Sequence, residues 1–200
     1  MTKIKICGLT RVEDIDCVNE LHPDYIGFVF VEKSRRAITP EKARELRKRL
    51  RPGIVAVGVF VDEPAENIID MVENDIIDMI QLHGSSEFEN AEYICGLAKT
   101  GVPIIKAINL QTDELPTGSD FLLFDGVEPG SGRTFDWNSL PKRINQPFFL
   151  AGGISPDNVK DAIEKVNPFA VDVSSGVETN GVKDCQKIKA LISAVRESGD

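Results

Sequence analysis

Short apolar runs rich in β-branched residues recur along the whole chain: Ile4–Cys7, Tyr25–Phe30, Ile54–Phe60, Asp78–Leu82, Pro103–Ile108, Phe121–Asp125, Pro147–Ala151 and Phe169–Val173. Their near-continuous hydrophobicity is that of parallel strands covered on both faces, not the alternation of a strand with one wet face. The segments between them carry helix-start signals. Thr10-Arg11-Val12-Glu13 reads as a capping box, the threonine accepting from the third amide of the helix and the glutamate reaching back. Thr39-Pro40-Glu41 and Ser155-Pro156-Asp157 each place a hydroxyl at the cap and a proline at the first helical position.

Parallel neighbours need a crossover of about a dozen residues or more, nearly always right-handed. Every gap meets that length, the weakest being 109–120, where Pro116 and Gly118 leave room for a single turn and predict a degenerate fifth helix. Eight strand–helix units without a linker or low-complexity tract predict an α/β fold, a compact (β/α)8 TIM barrel, with residues 1–200 as one domain. Such barrels typically take about 250 residues, so the loops are expected to be short.

A barrel carries its active site at the C-terminal ends of its strands. Those ends read Cys7-Gly8, Gln81-Leu82-His83-Gly84, Lys106, Asp125-Gly126, Gly152-Gly153 and Ser174-Ser175-Gly176, with the second and third strands ending more plainly. Glycines after the seventh strand and serines after the eighth suit a phosphate site, because barrels bind phosphate on backbone amides of those loops. The alternatives are a plain turn and a helix cap.

Cys7 is either a buried core thiol or a base, and a base would need positive potential nearby; Lys106 and Arg36 are the candidate sources. Asp125 closes Phe121-Leu122-Leu123-Phe124, where an unpaired carboxylate is costly. An apolar setting there would keep its proton on and suit it to act as an acid, the competing reading being a salt bridge to Arg133 or Lys106. His83 reads as a base, a ligand-orienting donor or a core histidine, and His22, before Pro23, has no assigned role.

Composition narrows the partners. A formal charge of −9 and a pI near 4.8 oppose binding to a nucleic-acid backbone, though local amides and one or two cations still suffice for a small phosphate ester. Met1–Ile6 is not the start of a signal peptide, and no apolar run is long enough to span a bilayer, so no membrane association and a cytoplasmic location are expected. Cysteines at 7, 17, 95 and 185 show neither pairing nor metal-ligand spacing and are expected to be free thiols.

The strand-end residues resemble the phosphoribosylanthranilate isomerase family. The matching strings, in order along the chain, are Lys5-Ile6-Cys7-Gly8-Leu9-Thr10, Gly27-Phe28-Val29-Phe30, Ser34-Arg35-Arg36, Gln81-Leu82-His83-Gly84, the stretch from Gly130 to Trp137, Ala151-Gly152-Gly153-Ile154, and the stretch from Val171 to Glu178. The resemblance implies an Amadori rearrangement of tryptophan biosynthesis on a small phosphorylated substrate, without cofactor or metal; the sequence leaves monomer or homodimer open. It implies Cys7 as base, Asp125 as acid, and Arg36 (or its neighbour Arg35) on the anthranilate carboxylate. His83, Gly153, Ser174, Ser175 and Gly176 complete the expected substrate contacts, Gly176 shaping the turn.

Gly130–Trp137 reads as a loop over the substrate, or as an anchor in which Phe135 and Trp137 enter the core. One departure from many relatives is Pro129 and Arg133 in this stretch, where a Gly and a Lys are usual. Proline stiffens the entrance to the loop. The rival readings are another phosphate-binding barrel, such as indole-glycerol-phosphate synthase or ribulose-phosphate epimerase, and a non-catalytic phosphosugar-binding subunit.

Overall fold

The computed structural model describes residues 1–85, 88–108, 118–126, 135–141 and 144–198. Eight parallel strands, β1 (Lys3–Cys7), β2 (Tyr25–Val29), β3 (Val55–Phe60), β4 (Met79–Leu82), β5 (Ile104–Ile108), β6 (Phe121–Phe124), β7 (Phe148–Leu150) and β8 (Ala170–Val173), form a closed barrel in sequence order. Closure is made by β1 against β8, with Lys3 opposite Ala170 and Lys5 opposite Asp172. Each strand lies within two residues of the run that predicts it.

Six helices surround the described barrel: α1 (Val12–Leu21), α2 (Pro40–Arg47), α3 (Ala65–Glu73), α4 (Ala91–Ala98), α5 (Val159–Val166) and α6 (Cys185–Glu197). The expected degenerate helix after β5 falls largely within 109–117, outside the described residues. Among the described residues no helix is long and apolar enough to cross a membrane.

Of the three expected caps one forms as expected and two shift, and a further one appears at α6. Thr39 accepts from the Lys42 amide with Pro40 beside it, and Asp184 caps α6 by accepting from Gln186 and Lys187. At α1 the work falls to Asp14 and not to Thr10 and Glu13: its buried carboxylate accepts from the Thr10 and Arg11 amides and pairs with the Arg11 guanidinium. A carboxylate satisfies two orphan donors and a cation together, which a threonine hydroxyl cannot. At α5 the Ser155-Pro156 signal produces a turn, and the helix starts later, after Asn158.

Alternate strand residues divide two apolar layers. Ile4, Ile6, Ile26, Phe28, Ile80 and Leu82 pack outward against the helices. Val57, Met79, Ile105, Leu123, Phe149 and Ala170 point inward, and Tyr25, Phe121 and Phe169 pack edge-on or tilted around Phe149 at centroid distances of 5.5, 5.6 and 5.8 Å. The N-terminal half of the barrel is thus plugged with rings, and polar side chains have room only at the other end.

The cysteine expectation is corrected. Cys17 on α1 and Cys185 on α6 form a disulfide with Cα atoms 5.8 Å apart, leaving Cys7 and Cys95 free. Spacing gave no sign of it because the contact exists only once β8 closes on β1 and stacks the last helix beside the first. The bond ties residues 168 apart in sequence, so reduction should lower stability by about 2–4 kcal/mol through the freed chain entropy of the unfolded state. Urea unfolding with and without a thiol reductant measures it.

Candidate active site

Among the described residues, seven of the eight strand ends supply the walls of one cavity of about 290 Å³ at the C-terminal end of the barrel, lined among others by Cys7, Arg36, Gln81, His83, Asp125 and Asp172. Gly152, Gly153, Ser174 and Ser175 complete the rim on the β7–β8 side. Gly176 lies behind it. A Cβ at Gly176 would run into the backbone oxygen of Ile154, so the turn Ser175–Val177 can seat against the loop after β7 only because that position lacks a side chain.

Cys7 and Lys5 are two residues apart on β1 and therefore share the inward face. Gly27 on β2 lets them meet. A Cβ there would stand 2.8 Å from the Cys7 sulfur and 3.2 Å from the Lys5 ammonium, so the bare backbone makes space for both. Lys5 is fully buried, and its Nζ donates to both Asp172 oxygens at 2.9 Å. Burial works against its charge, but the Asp172 carboxylate and the Cys7 sulfur hold its pKa above the usual lysine value.

The sources of positive potential at Cys7 are Lys5 and Lys183, and not the expected Lys106 and Arg36. Lys106 is engaged elsewhere, 2.6 Å from the buried Glu89 carboxylate and 2.9 Å from the Gly84 carbonyl. The same pairing removes Lys106 as a partner for Asp125, and Arg133 lies outside the described residues. Burial pushes the Cys7 thiol up from its ordinary value more strongly than the two lysines pull it down.

Asp125 follows β6 and is driven the same way. Burial, reinforced by the Asp172 charge, raises its pKa to about 6 against the opposing Gly126 amide, which donates to its Oδ1 at 2.7 Å. His83 stands 3.7 Å away across the cavity. Burial holds the imidazole pKa down to about 4, so the ring is neutral beside the carboxyl at pH 7. Gln81 reaches the His83 Nδ1 at 3.4 Å through its amide nitrogen, while its Oε1 is buried without a partner.

Arg36 reaches the opposite wall from β2's following loop. Its Nε and Nη2 donate to Glu178 at 2.7 and 3.2 Å, and Glu178 also accepts from Arg35 and Lys183 at 2.8 and 2.6 Å. Three cations around one carboxylate leave this wall positive, and hold Glu178 below the ordinary carboxylate range in spite of its burial. Arg35 points outward, more than half exposed, while Arg36 is the one that lines the cavity. Lys183 comes from the small hairpin β9 (Glu178–Thr179) and β10 (Val182–Lys183), and it also donates to the Ser174 carbonyl at 3.0 Å. The Ser174 hydroxyl donates to the Cys7 carbonyl at 3.0 Å.

The expected site residues are therefore brought together, except that Gly176 acts from behind the wall. Residues 130–134 of the expected loop lie outside the described residues, while Phe135 and Trp137 pack against the core. Lys5, Asp172, Gln81, Glu178 and Lys183 were not singled out by sequence reasoning. Charged positions alternating with apolar ones inside a buried strand, as in Lys5-Ile6-Cys7, were the available signal. Among the described residues no group of three or more potential metal ligands occurs.

Residues 4–194 match the family model described as N-(5′-phosphoribosyl)anthranilate (PRA) isomerase. A protein of that name from Endomicrobium trichonymphae is 45% identical, the alignment covering 98% of this chain and 99% of the relative. The phosphoribosyl anthranilate isomerase of Thermus thermophilus has a similar structure, with a TM-score of 0.85 at 35% identity over 98% of this chain and 99% of that one. Another solved structure of such an isomerase, in complex with reduced 1-(o-carboxyphenylamino)-1-deoxyribulose 5-phosphate, gives 0.79 at 36% identity over 98% and 100%.

Gly176→Ala should destabilise the protein by about 1–3 kcal/mol, the range of an overpacked side chain that forces backbone to move. Urea denaturation of the variant against the parent checks this.

Proposed function

The chain belongs to the N-(5′-phosphoribosyl)anthranilate isomerase family, and on that premise we propose that Cys7 is the base and Asp125 the acid of its Amadori rearrangement. The enzyme converts N-(5′-phosphoribosyl)anthranilate to 1-(o-carboxyphenylamino)-1-deoxyribulose 5-phosphate, an aldose–ketose isomerisation of tryptophan biosynthesis. The observation that carries the assignment is that Cys7 and Asp125 face a single cavity from β1 and β6, far enough apart around the rim to address different atoms of one sugar.

Asp125 donates its proton to the furanose ring oxygen while the anthranilate nitrogen expels that oxygen, opening the ring to a protonated Schiff base. The Cys7 thiolate removes the proton from C2′. The resulting enolamine tautomerises to the ketone, and the thiol and carboxylate exchange protons with solvent to reset. His83, neutral and 3.7 Å from Asp125, holds a polar edge beside the acid without adding a charge that would ionise it.

Substrate anchoring divides by charge. Arg36 is the partner for the anthranilate carboxylate, since Glu178 holds its Nε and Nη2 and so fixes the guanidinium plane. The phosphate is assigned to the amides of the loops after β7 and β8, around Gly153, Ser174 and Ser175, at the usual phosphate end of such barrels. The unpartnered Gln81 Oε1 suits a ribose hydroxyl, because a buried acceptor left alone would cost about 1–3 kcal/mol. All these groups come from one chain. Each of them lies on the same barrel, whether the protein acts as a monomer or homodimer.

Purified protein should consume phosphoribosylanthranilate generated in situ. Cys7→Ala and Asp125→Asn should each lose roughly 10²–10⁴-fold in kcat, the share of one proton transfer. Full activity in either variant would remove that residue from the mechanism. Arg36→Met should act chiefly on KM.

The pH profile follows from the protonation demanded. Below the Asp125 pKa of about 6 both groups are protonated and there is no base. Above the raised pKa of the Cys7 thiol both are ionised and there is no acid. Between them the pair shares one proton, and a constant share of molecules holds it on the carboxyl. A plot of kcat/KM against pH should rise through about 6, level, and fall only in the alkaline range.

A further inference from the structure

The proposed mechanism needs the proton on the stronger acid of the two, the carboxyl, and off the weaker, the thiol; reference values of about 3.9 and 8.5 favour the reverse. Burial alone cannot correct this, because it raises both groups. What is required is a field with a direction, positive at Cys7 and negative at Asp125.

We propose that the buried Lys5–Asp172 pair is that field: an oriented ion pair, ammonium toward Cys7 and carboxylate toward Asp125, that positions the proton between base and acid. The inference rests on the assignment of those two roles. Its geometry is fixed by the barrel. Strand order around the rim runs β6, β7, β8, β1, β2, so Asp125, Asp172 and then Lys5 with Cys7 follow one another along one arc. Asp172 and Lys5 sit in register across the β8–β1 closure, with neighbouring strands about 4.8 Å apart. The Lys5 ammonium holds Asp172 on its β8 side, while on its β2 side the absent side chain of Gly27 gives it and the Cys7 sulfur a common niche.

Because the pair is almost wholly excluded from water, its dipole is poorly screened. The influence of each end falls as its placement demands. At Cys7 the pull of Lys5 exceeds the push of Asp172, and at Asp125 the order is reversed. The other charges near Cys7 add less than Lys5. Lys183 reaches it from β10 with a weaker pull and is held by Glu178, and Arg36 is held by the same carboxylate. Among the described residues, the other titratable neighbour of Asp125, His83, is neutral.

A buried ion pair with a merely structural role would be replaceable by a neutral pair with no effect on either titration. The test is therefore Lys5→Met with Asp172→Asn, which removes both charges and leaves no unpaired buried charge. It is made in a Cys95→Ser background, so that Cys7 is the alkylatable thiol while Cys17 and Cys185 are joined. The rate of iodoacetamide alkylation against pH reports the thiol, and the acid limb of kcat/KM reports Asp125.

The two midpoints should move apart, the thiol upward and the acid limb downward, and the plateau of kcat/KM should fall at least tenfold, since each unit of separation reduces the productive share about tenfold. If neither midpoint moves, or both move the same way, in a double variant that keeps its cooperative thermal transition, the proposal is overturned. Should the double variant not fold, Asp172→Asn alone decides. Lys5 is then freed for the thiol, whose midpoint falls; an unmoved thiol midpoint overturns the proposal. The alkylation profile judges the ion pair independently of turnover, whereas Cys7→Ala and Asp125→Asn judge the roles of base and acid, so failure of one is not failure of the other.

Discussion

The pairing of β1 with β8 is the joint on which the rest of the molecule depends. It brings residues 3–6 beside residues 170–173, closes the sheet, and removes the two edges that an open sheet would leave unpaired. The same joint places Lys5 opposite Asp172 inside the barrel and sets α6 against α1 outside it. The floor of the cavity, the ion pair and the disulfide are three results of one strand pairing.

Below that floor the interior is filled by Phe121, Phe149, Phe169 and Tyr25. An aromatic plug offers no polar atoms at its centre, so the desolvated charges above it find partners among themselves and in the neighbouring backbone. That explains the accumulation of pairs at the rim: Lys5 with Asp172, Lys106 with Glu89, and Arg36 and Lys183 with Glu178. It also explains why Cys7 and Asp125 are both raised. They share a dry environment whose rigid ion pairs replace the water that would otherwise stabilise their ionised forms.

The barrel was legible in the sequence because each strand is buried on two faces and so reads as an unbroken apolar run, with Cys7 and Asp125 visible as exceptions at strand ends. Local capping was legible only in part. Thr39 behaves as its surroundings suggest, but at α1 Asp14 outcompetes Thr10 and Glu13 by meeting two amides and a guanidinium at once. Lys5 was hidden because Lys3-Ile4-Lys5-Ile6 resembles a strand with a solvated face, and its partner lies 167 residues away. Lys106 misled for the same reason in reverse. Its partner Glu89 sits in the loop after β4, and no local pattern announces that the pair is sealed inside. Sequence periodicity reports which face is dry; it does not report which charges meet there.

The link between Cys17 and Cys185 has a topological consequence. With the bond formed, all but the ends of the backbone belongs to a single covalent ring, from which residues 1–16 and 186–200 project as arms. A cut anywhere within that ring leaves one connected molecule, its two fragments still held at the seam where the barrel closes. The loops of the catalytic face that follow β2 to β8 can therefore be severed without either part of the barrel being released, whereas the loop after β1 lies on the N-terminal arm and has no such protection.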